Sequence, residues 1–331
     1  MDKIDFVITW VDGNDPAWQS ERSKYTQNNS GDKRTVRYRD WDNLMYWFRG
    51  IEKFAPWVSK IHFITWGHVP EWLDTNNPKI NIVKHEDFIP SEYLPTFNSH
   101  TIEFNMHRIK GLSEKFVYFN DDMFIIRDMK EKDFFRNNLP CDTATICPLI
   151  ASFRNSIIGI TLNNMEIINT TFKKNEVIAH NFFKWFNPVY KRGNFYTLVL
   201  LPWRKFAGFK NHHLPIPYLK STFNEVWEKE GEVINKTCLF KFRNKENINH
   251  WLMRYWQFAT GKFTPRSVDT GFCFSLTNNN DTVFEAIRKQ KYKMICVNDN
   301  DSDPIVDFDK EKELLKQAFR YILSDKSSFE L

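Results

Sequence analysis

The sequence predicts an α/β fold, a mostly parallel β-sheet with helices on both faces, and three observations predict it. Short apolar runs alternate with amphipathic helical segments through the first part of the chain. Turn-forming residues separate these segments. The chain has 331 residues, of which 42% are hydrophobic and 26% charged, an ordinary globular composition that excludes disorder, coiled-coil rods and collagen-like repeats.

The N-terminal half contains four predicted strands, at 4–11, 61–65, 80–84 and 115–119. Each is a short, nearly continuous apolar run, as expected for a strand buried on both faces. Two helices are predicted between them, at 42–54 and 98–109, because apolar residues recur there with helical spacing. Pro56 closes the first of these helices.

The C-terminal half is predicted to add helices at 224–230, 247–260 and 310–323 and a strand at 291–297. No clean periodicity is seen in the middle of the chain, which we interpret as an irregular or helical insertion. The predicted organisation is a core in two parts, 1–140 and 206–300, an insertion or cover segment, 141–205, and a C-terminal helix, 301–331.

The charge and cysteine content restrict the class of protein. The formal charge of +5 suits an anionic ligand such as a nucleotide but lacks the concentrated basic patch of a nucleic-acid-binding protein. Five cysteines without a CxxC pair predict reduced thiols in the cytoplasm, with a Cys141–Cys147 disulfide as the open alternative. No signal peptide or membrane span is predicted.

Acidic turns follow three of the predicted strands, and these turns contain Asp12, Asn120-Asp121-Asp122 and Asn298-Asp299. In parallel sheets, ligands bind beyond the carboxyl ends of the strands. Adjacent carboxylates favour a hard divalent cation such as Mg²⁺. Each turn taken alone is better explained as a solvated turn, but the topology is expected to bring Asp12 and Asp122 to one edge.

Other candidate residues have ordinary structural explanations beside the functional ones. Glu103, His107 and Arg108 are predicted to lie on one helix, either facing a pocket or forming a surface ion pair. His213 lies in a polar loop and could be a general base or simply exposed. Arg243 could bind a phosphate in a bidentate manner. GxGxxG, GxxxxGK[ST] and HExxH motifs are absent, so a Gly-rich phosphate loop is excluded.

Several segments of this sequence, in the same order along the chain, resemble the conserved regions of a protein family, the Stealth proteins. The segment 4–16 is similar to the first conserved region of that family, and a second, longer match begins at Arg37-Tyr38-Arg39-Asp40 and ends at Asn120-Asp121-Asp122-Met123. His213-Leu214-Pro215 with Phe242-Arg243 resembles the third region, and 295–299 resembles the fourth.

The resemblance implies a Rossmann-like core that transfers a hexose-1-phosphate from a nucleotide sugar, commonly UDP-linked, to a hydroxyl of a glycan acceptor, with Mg²⁺ or Mn²⁺ as cofactor and UMP as the leaving group. We expect the catalytic residues to be His213, Asp12, Asp122 and Arg243, with Asp12 the alternative to His213 as general base. The expected metal ligands are Asp121, Asp122 and Asp299. The expected substrate-binding residues are Trp10, Arg37, Asn98, Glu103, His107, Arg108, Asn120 and Asn298.

Two alternative functions follow from the same residues. One is a metal-dependent glycosyltransferase, which would release UDP instead of UMP. The other is a non-catalytic glycan- or polyanion-binding protein, although acidic strand ends would repel an anion unless a metal intervened. The expected location is cytoplasmic, at the inner face of the membrane if the protein associates peripherally with a capsule-export assembly.

Overall fold

A five-stranded sheet forms the centre of the computed structural model, which describes residues 3–26, 31–32, 39–151, 157–299 and 305–331. Its strand order is β3-β2-β1-β4-β8. The first four strands are parallel and β8 is antiparallel to β4. The strands of the protein are β1 (Ile4–Thr9), β2 (Ile61–Thr65), β3 (Ile80–Lys84), β4 (Lys115–Phe119), β5 (Met123–Ile125), β6 (Phe135–Arg136), β7 (Leu139–Asp142), β8 (Ile216–Leu219), β9 (Thr264–Pro265), β10 (Gly271–Ser275) and β11 (Met294–Asn298).

Helices cover both faces of this sheet, which confirms the predicted α/β class. They are α1 (Pro16–Thr26), α2 (Leu44–Phe54), α3 (Ser99–Asn105), α4 (Glu131–Phe134), α5 (Ile158–Thr171), α6 (Lys174–His180), α7 (Phe182–Trp185), α8 (Gly193–Val199), α9 (Lys220–Leu239), α10 (Trp251–Ala259), α11 (Asp281–Arg288) and α12 (Phe308–Ile322). Among the described residues no helix combines the length and the apolar character that crossing a bilayer requires.

Two apolar clusters lie on opposite faces of the sheet because side chains alternate along each strand. Phe6 and Ile8 of β1 face one cluster together with α2, α11 and α12, whereas Val7 faces the other together with α9 and α10. The second cluster also contains apolar residues of α5 and α6, such as Ile168 and Ile178. The insertion therefore shares a core with the central sheet.

A small second sheet brings the C-terminal half of the chain to the end of β4. Its strand order is β10-β11-β5, with β11 antiparallel to β5. The Val297 amide donates a hydrogen bond to the Asp122 carbonyl at 2.9 Å. The residues around Cys296 thereby lie beside the acidic turn of residues 120–122.

Several sequence-based boundaries differ from the structure: the strand predicted at 4–11 ends at Thr9, and the helix predicted at 224–230 extends over Lys220–Leu239. The helix predicted at 247–260 begins only at Trp251, because the Asn249 side chain accepts a hydrogen bond from the Trp251 amide, 3.2 Å away. The helix predicted at 98–109 ends at Asn105 and continues as a short 3₁₀ turn. The middle segment, predicted as an irregular or helical insertion, is helical and contains four helices, α5 to α8. All five cysteines are free, so the alternative of a Cys141–Cys147 disulfide is wrong.

Gly50 is required where α2 crosses β5. A Cβ atom at this position would lie 2.7 Å from the Ile125 carbonyl oxygen, too close for a side chain without movement of backbone. Gly50→Ala should therefore lower the free energy of unfolding by about 1–3 kcal/mol, the usual cost of overpacking. Urea unfolding measures this change.

Gly231→Ala is the matched control, because no atom lies within 4 Å of a Cβ built there and the residue belongs to α9. This substitution should leave the stability unchanged or raise it by up to about 1 kcal/mol, since alanine favours helix. Equal losses in the two variants would contradict the importance of the α2–β5 contact.

Candidate active site

The carboxyl ends of β1 and β4 are neighbours in the central sheet. The two strands are parallel, and Ile8 pairs with Phe119 in their register. The turns that follow them hold Asp12 and Asp121-Asp122. Both turns therefore open at the same edge of the sheet, as the sequence pattern suggests.

Asp122 is the centre of a compact group of polar side chains. One carboxylate oxygen, Oδ2, lies 3.3 Å from His213 Nε2 and 3.2 Å from Cys296 Sγ. One donor atom from each of these three residues lies within 4.8 Å of the others. The other oxygen, Oδ1, is buried and has no hydrogen-bond partner within the described ranges.

Asp121 lies next to this group and keeps a solvent-exposed side chain. The surrounding protein disfavours its charged form, and the nearby carboxylates of Asp122 and Asp40 disfavour it further, so the pKa of Asp121 is raised to about 7. Asp40 also lies close to Asp12 and Asp42, and burial together with Asp42 and Asp12 raises the pKa of Asp40. A concentration of negative charge of this kind is typical of a cation site.

His213 reaches Asp122 from the loop that precedes β8. Its backbone adopts a left-handed conformation, with φ of 46°, which is uncommon for residues other than glycine and is often found at functional sites. Burial opposes its protonation, but the charge and hydrogen bond of Asp122 prevail and raise the pKa of His213 to about 9. In the absence of a bound cation the two residues form an ion pair.

Arg243 contributes the positive charge of the site. Its guanidinium donates two hydrogen bonds to Ser99 Oγ, from Nε at 3.0 Å and from Nη2 at 2.6 Å. Its charge acts on the pKa values of Asp121, Glu103 and His213. The Arg243 guanidinium therefore lies near the acidic residues at the end of β4.

Asn98 holds the segment that carries Arg243. The Asn98 side chain is fully buried, caps α3 by accepting a hydrogen bond from the His100 amide, and donates to Asn247 Oδ1 at 3.1 Å. The neighbouring Phe242 stacks on Phe97 with ring centroids 5.5 Å apart. Asn98 thus positions Arg243 rather than facing an open pocket.

Glu103 forms a buried network behind Arg243. Its carboxylate lies 3.2 Å from His100 Nδ1 and accepts a hydrogen bond from Tyr118 Oη at 3.5 Å. Burial favours the neutral acid, but His250, His100 and Arg243 together lower the pKa of Glu103 to about 2. The carboxylate therefore remains ionised throughout the physiological range.

The network makes a prediction for the acid stability of the protein. Because the folded-state pKa of Glu103 lies below its ordinary value of 4.5, its contribution is complete above that value and is lost as the pH falls toward 2. Linkage predicts that wild type loses about 1 kcal/mol more of its free energy of unfolding between pH 6 and pH 4 than Glu103→Gln. Urea unfolding at both pH values measures the difference, and parallel pH profiles would contradict it.

Trp10 and Asp12 lie in the segment that follows β1 directly. The Asp12 amide donates to His68 Nε2 at 2.8 Å, and its carboxylate accepts from the Asn14 amide at 2.8 Å. Trp10 packs face to face with Phe63, with ring centroids 5.7 Å apart. Asp12 is close enough to Asp40 to affect its pKa but makes no hydrogen bond to Asp122 within the described residues.

The turn after β11 places Asp299 in an ion pair. Arg39 Nε lies 2.9 Å from Asp299 Oδ2, and Trp41 Nε1 donates to the same oxygen at 3.1 Å. Asp299 is therefore engaged by a cation of the chain itself, whereas Asp122 keeps an unpartnered oxygen. Asn120 and Asn298 are half-buried in their turns.

Two of the sequence-predicted residues lie apart from this group, and one falls outside the described residues. His107 Nδ1 donates a hydrogen bond to the Phe104 carbonyl, 3.1 Å away, and the ring packs on Phe223. Arg108 lies over the Trp227 ring, 4.9 Å from its centroid. Glu103 and His107 do not share a face because the helix ends between them. Arg37 lies in the segment 33–38, which the structure does not describe.

Several residues of the site were not predicted from their types or spacing. Asp40 and Cys296 fall within the segments that resemble the family, which was the available signal. Cys273 pairs in register with Cys296 on the neighbouring strand, and their thiols are in contact. Ser99 also lies within the segment that resembles the family, whereas His250 gave no signal, because a single histidine before a helix is common in any protein.

The donor set fits a divalent cation. The exposed carboxylate of Asp121 and the unpartnered Oδ1 of Asp122 are hard oxygen ligands of the kind that Mg²⁺ and Mn²⁺ prefer. Two carboxylates in one turn repel each other, and a bound cation relieves this repulsion. Asp121 and Asp122 are therefore the residues of this site that would hold the metal.

Comparison with known proteins identifies the family. The description "Stealth protein CR1, conserved region 1" matches residues 2–30, and "Stealth protein CR2, conserved region 2" matches residues 37–142. A "Capsular polysaccharide phosphotransferase WcwK" of Streptococcus pneumoniae is 48% identical over 337 residues, which cover 100% of this chain and 98% of the relative. The chain belongs to the Stealth family.

A further relative agrees with this assignment. The "Receptor polysaccharide phosphotransferase WefC" of Streptococcus oralis is 40% identical to this Stealth protein, with 100% of both chains covered. The crystal structure of the apo-form glycosyltransferase GlyE of Streptococcus pneumoniae TIGR4 is a loose match, with a TM-score of 0.39 and 10% identity, covering 98% of this chain and 62% of that one. The family resemblance and the prediction of a transferase are confirmed.

Proposed function

We propose that this Stealth protein transfers a hexose-1-phosphate from a UDP-sugar to a hydroxyl of a glycan acceptor, forming a phosphodiester in a capsular or exopolysaccharide. The polysaccharide phosphotransferases to which the chain is similar support the class of reaction. The observation that carries the proposal is the convergence of paired carboxylates, a histidine and an arginine at the end of β4.

The reaction breaks one phosphoanhydride bond and forms one phosphodiester bond. The acceptor hydroxyl oxygen attacks the phosphorus that bears the sugar, and the bond from this phosphorus to the bridging oxygen of the diphosphate breaks. UMP leaves with the bonding electrons, and the hydroxyl proton passes to a base of the protein. Such a transfer depends mainly on positioning and on stabilisation of charge.

Each group of the site has a role in this scheme. Arg243 binds non-bridging oxygens of the diphosphate, in a position that Ser99 fixes. His213 acts as the base in its neutral form, which would be favoured over the ion pair once a cation neutralises the Asp122 carboxylate. The neutral imidazole, with Nε2 toward Asp122, takes the hydroxyl proton at Nδ1. Asp121 and Asp122 hold Mg²⁺ or Mn²⁺, which when bound would neutralise charge on the diphosphate.

Asp12 is the alternative base. Its carboxylate lies at the same edge of the sheet, but it accepts a hydrogen bond from the Asn14 amide, and Nε2 of the neighbouring His68 is engaged by the Asp12 backbone amide. Asp299 was predicted as a third metal ligand, and its ion pair with Arg39 favours a structural role instead. The cytoplasmic location and a peripheral association with a capsule-export assembly stay predictions.

The product distinguishes this function from a glycosyltransferase. The purified chain, incubated with a panel of UDP-sugars, Mg²⁺ and an oligosaccharide acceptor, should release UMP and give a phosphodiester signal in the ³¹P NMR spectrum of the product. Chelation by EDTA should abolish the activity, and Mg²⁺ or Mn²⁺ should restore it. Release of UDP would instead establish glycosyl transfer. Binding of glycan without either nucleotide product would establish the non-catalytic alternative.

A further inference from the structure

The insertion presents an apolar surface to solvent. Of the seventeen large hydrophobic side chains that are exposed among the described residues, seven lie between residues 182 and 205. The most prominent are Phe183, Phe195 and Trp203, which are 82%, 65% and 57% exposed. A concentration of exposed aromatic rings on a folded protein indicates a binding surface. We call the exposed side chains of residues 182–205 the aromatic–basic face.

The sequence segment that carries these rings has charges of a single sign. The 48 residues from 177 to 224 contain seven lysines and arginines and no aspartate or glutamate. Within the aromatic–basic face, Arg192 and Arg204 are exposed beside Phe195 and Trp203. Lys191, at the margin of the face, forms an ion pair with Asp269, which lies outside residues 182–205. The charge of Lys191 is therefore partly neutralised.

The face is built on a fixed support. Lys174 is buried and donates hydrogen bonds to the carbonyls of Leu200 and Leu201, at 2.7 and 2.9 Å, and to that of Trp203. Trp185 is buried and stacks on Phe206, 5.7 Å between centroids. The loop around Trp203 and the turn of α7 are thus held from inside, so their outer rings remain exposed in the folded state.

Aromatic rings interspersed with arginines and lysines are the composition that binds the interfacial region of a membrane. Tryptophan and phenylalanine insert at the level of the headgroups, and the cations attract anionic lipids. A second copy of the same face would bring like charges together, which disfavours a symmetric dimer. The charge of the face is instead complementary to an anionic bilayer.

We propose that the aromatic–basic face docks the protein peripherally on a bilayer containing anionic phospholipid. The proposal is independent of the reaction assigned above, because none of the residues of the face belongs to the site around Asp122.

Flotation of the full chain with lipid vesicles tests this proposal. Wild type should bind vesicles of phosphatidylcholine with phosphatidylglycerol and should bind pure phosphatidylcholine much more weakly. Binding should weaken at high salt, which screens the attraction. The double variant Arg192→Glu and Arg204→Glu should bind anionic vesicles about 25-fold or more weakly, from a factor of about five for each cation lost.

A second double variant tests the aromatic part of the face. Phe183→Ser with Trp203→Ser should lower binding by about ten-fold or more, because the apolar contribution is lost. The matched controls carry the same changes elsewhere: Tyr321→Ser, which is 73% exposed, and Lys110→Glu with Arg288→Glu. These controls should bind as wild type does.

The outcomes are separable. Unchanged thermal unfolding would show that the variants are folded, and unchanged turnover with a soluble acceptor would separate docking from catalysis. Failure of wild type to bind anionic vesicles, or equal binding to neutral ones, would overturn the proposal. A dimer in light scattering that Phe183→Ser with Trp203→Ser dissociates would also overturn it, in favour of self-association.

Discussion

Arg243→Met should lower kcat by about 10³–10⁵-fold, the range associated with the loss of an arginine that stabilises a transferring phosphoryl group. Arg243 is the cation whose charge acts on Asp121, Glu103 and His213, and Ser99 fixes its orientation. Methionine keeps much of the length of the side chain and removes the charge. Steady-state release of UMP measures the effect.

Two further variants separate the charge from the geometry. Arg243→Lys keeps the charge without the planar fork and should recover part of the lost rate. Arg108→Met is the matched control, because Arg108 lies over Trp227, away from the acidic cluster, and its loss should change kcat little. If Arg243→Met kept near-normal turnover while folded, the proposed phosphate contact would be wrong.

His213→Ala should lower kcat by about 10²–10⁴-fold, the usual contribution of a general base. The imidazole contacts Asp122, so its loss removes both the proton acceptor and the partner of that carboxylate. Thermal unfolding should show that the variant remains folded, since the side chain belongs to a loop. Turnover is compared at saturating donor and acceptor.

Asp12→Asn distinguishes the two candidate bases. If His213 is the base, Asp12→Asn should impair turnover less than His213→Ala. The reverse order would assign the proton transfer to Asp12. His180→Ala is a control for loss of a histidine, because His180 is exposed at the end of α6, and this variant should behave as wild type.

The parallel part of the fold could be predicted because its signals are local. Buried strands such as β2 and β4 are continuous apolar runs, and their predicted and observed boundaries coincide. The insertion could not be predicted as four helices, because its exposed aromatic residues interrupt any simple stripe of apolar positions. Helix boundaries near Asn105 and Asn249 depend on side-chain hydrogen bonds that compete with the helix backbone.

The residues of the site could be predicted only where the sheet topology or the family resemblance pointed to them. The proximity of the Asp12 and Asp122 turns follows from parallel neighbouring strands. The contacts of Asp122 with His213 and Cys296 join parts of the chain that are 91 and 174 positions apart, and no spacing rule reports such contacts. The ion pair of Asp299 with Arg39 depends on a long-range packing arrangement of the same kind.

The assembly of Asp122 with His213, Arg243 and Cys296 has a consequence for recognising related genes. Both matched family regions end by residue 142, ahead of the imidazole, the guanidinium and the thiol of the site. A truncated gene product that stopped at that point would still be recognised by its sequence as a relative, yet it would lack the histidine and the arginine that the proposed reaction uses. Recognition of a relative by its first regions therefore identifies ancestry, and the proposed reaction makes the later histidine and arginine the residues to look for in a competent enzyme.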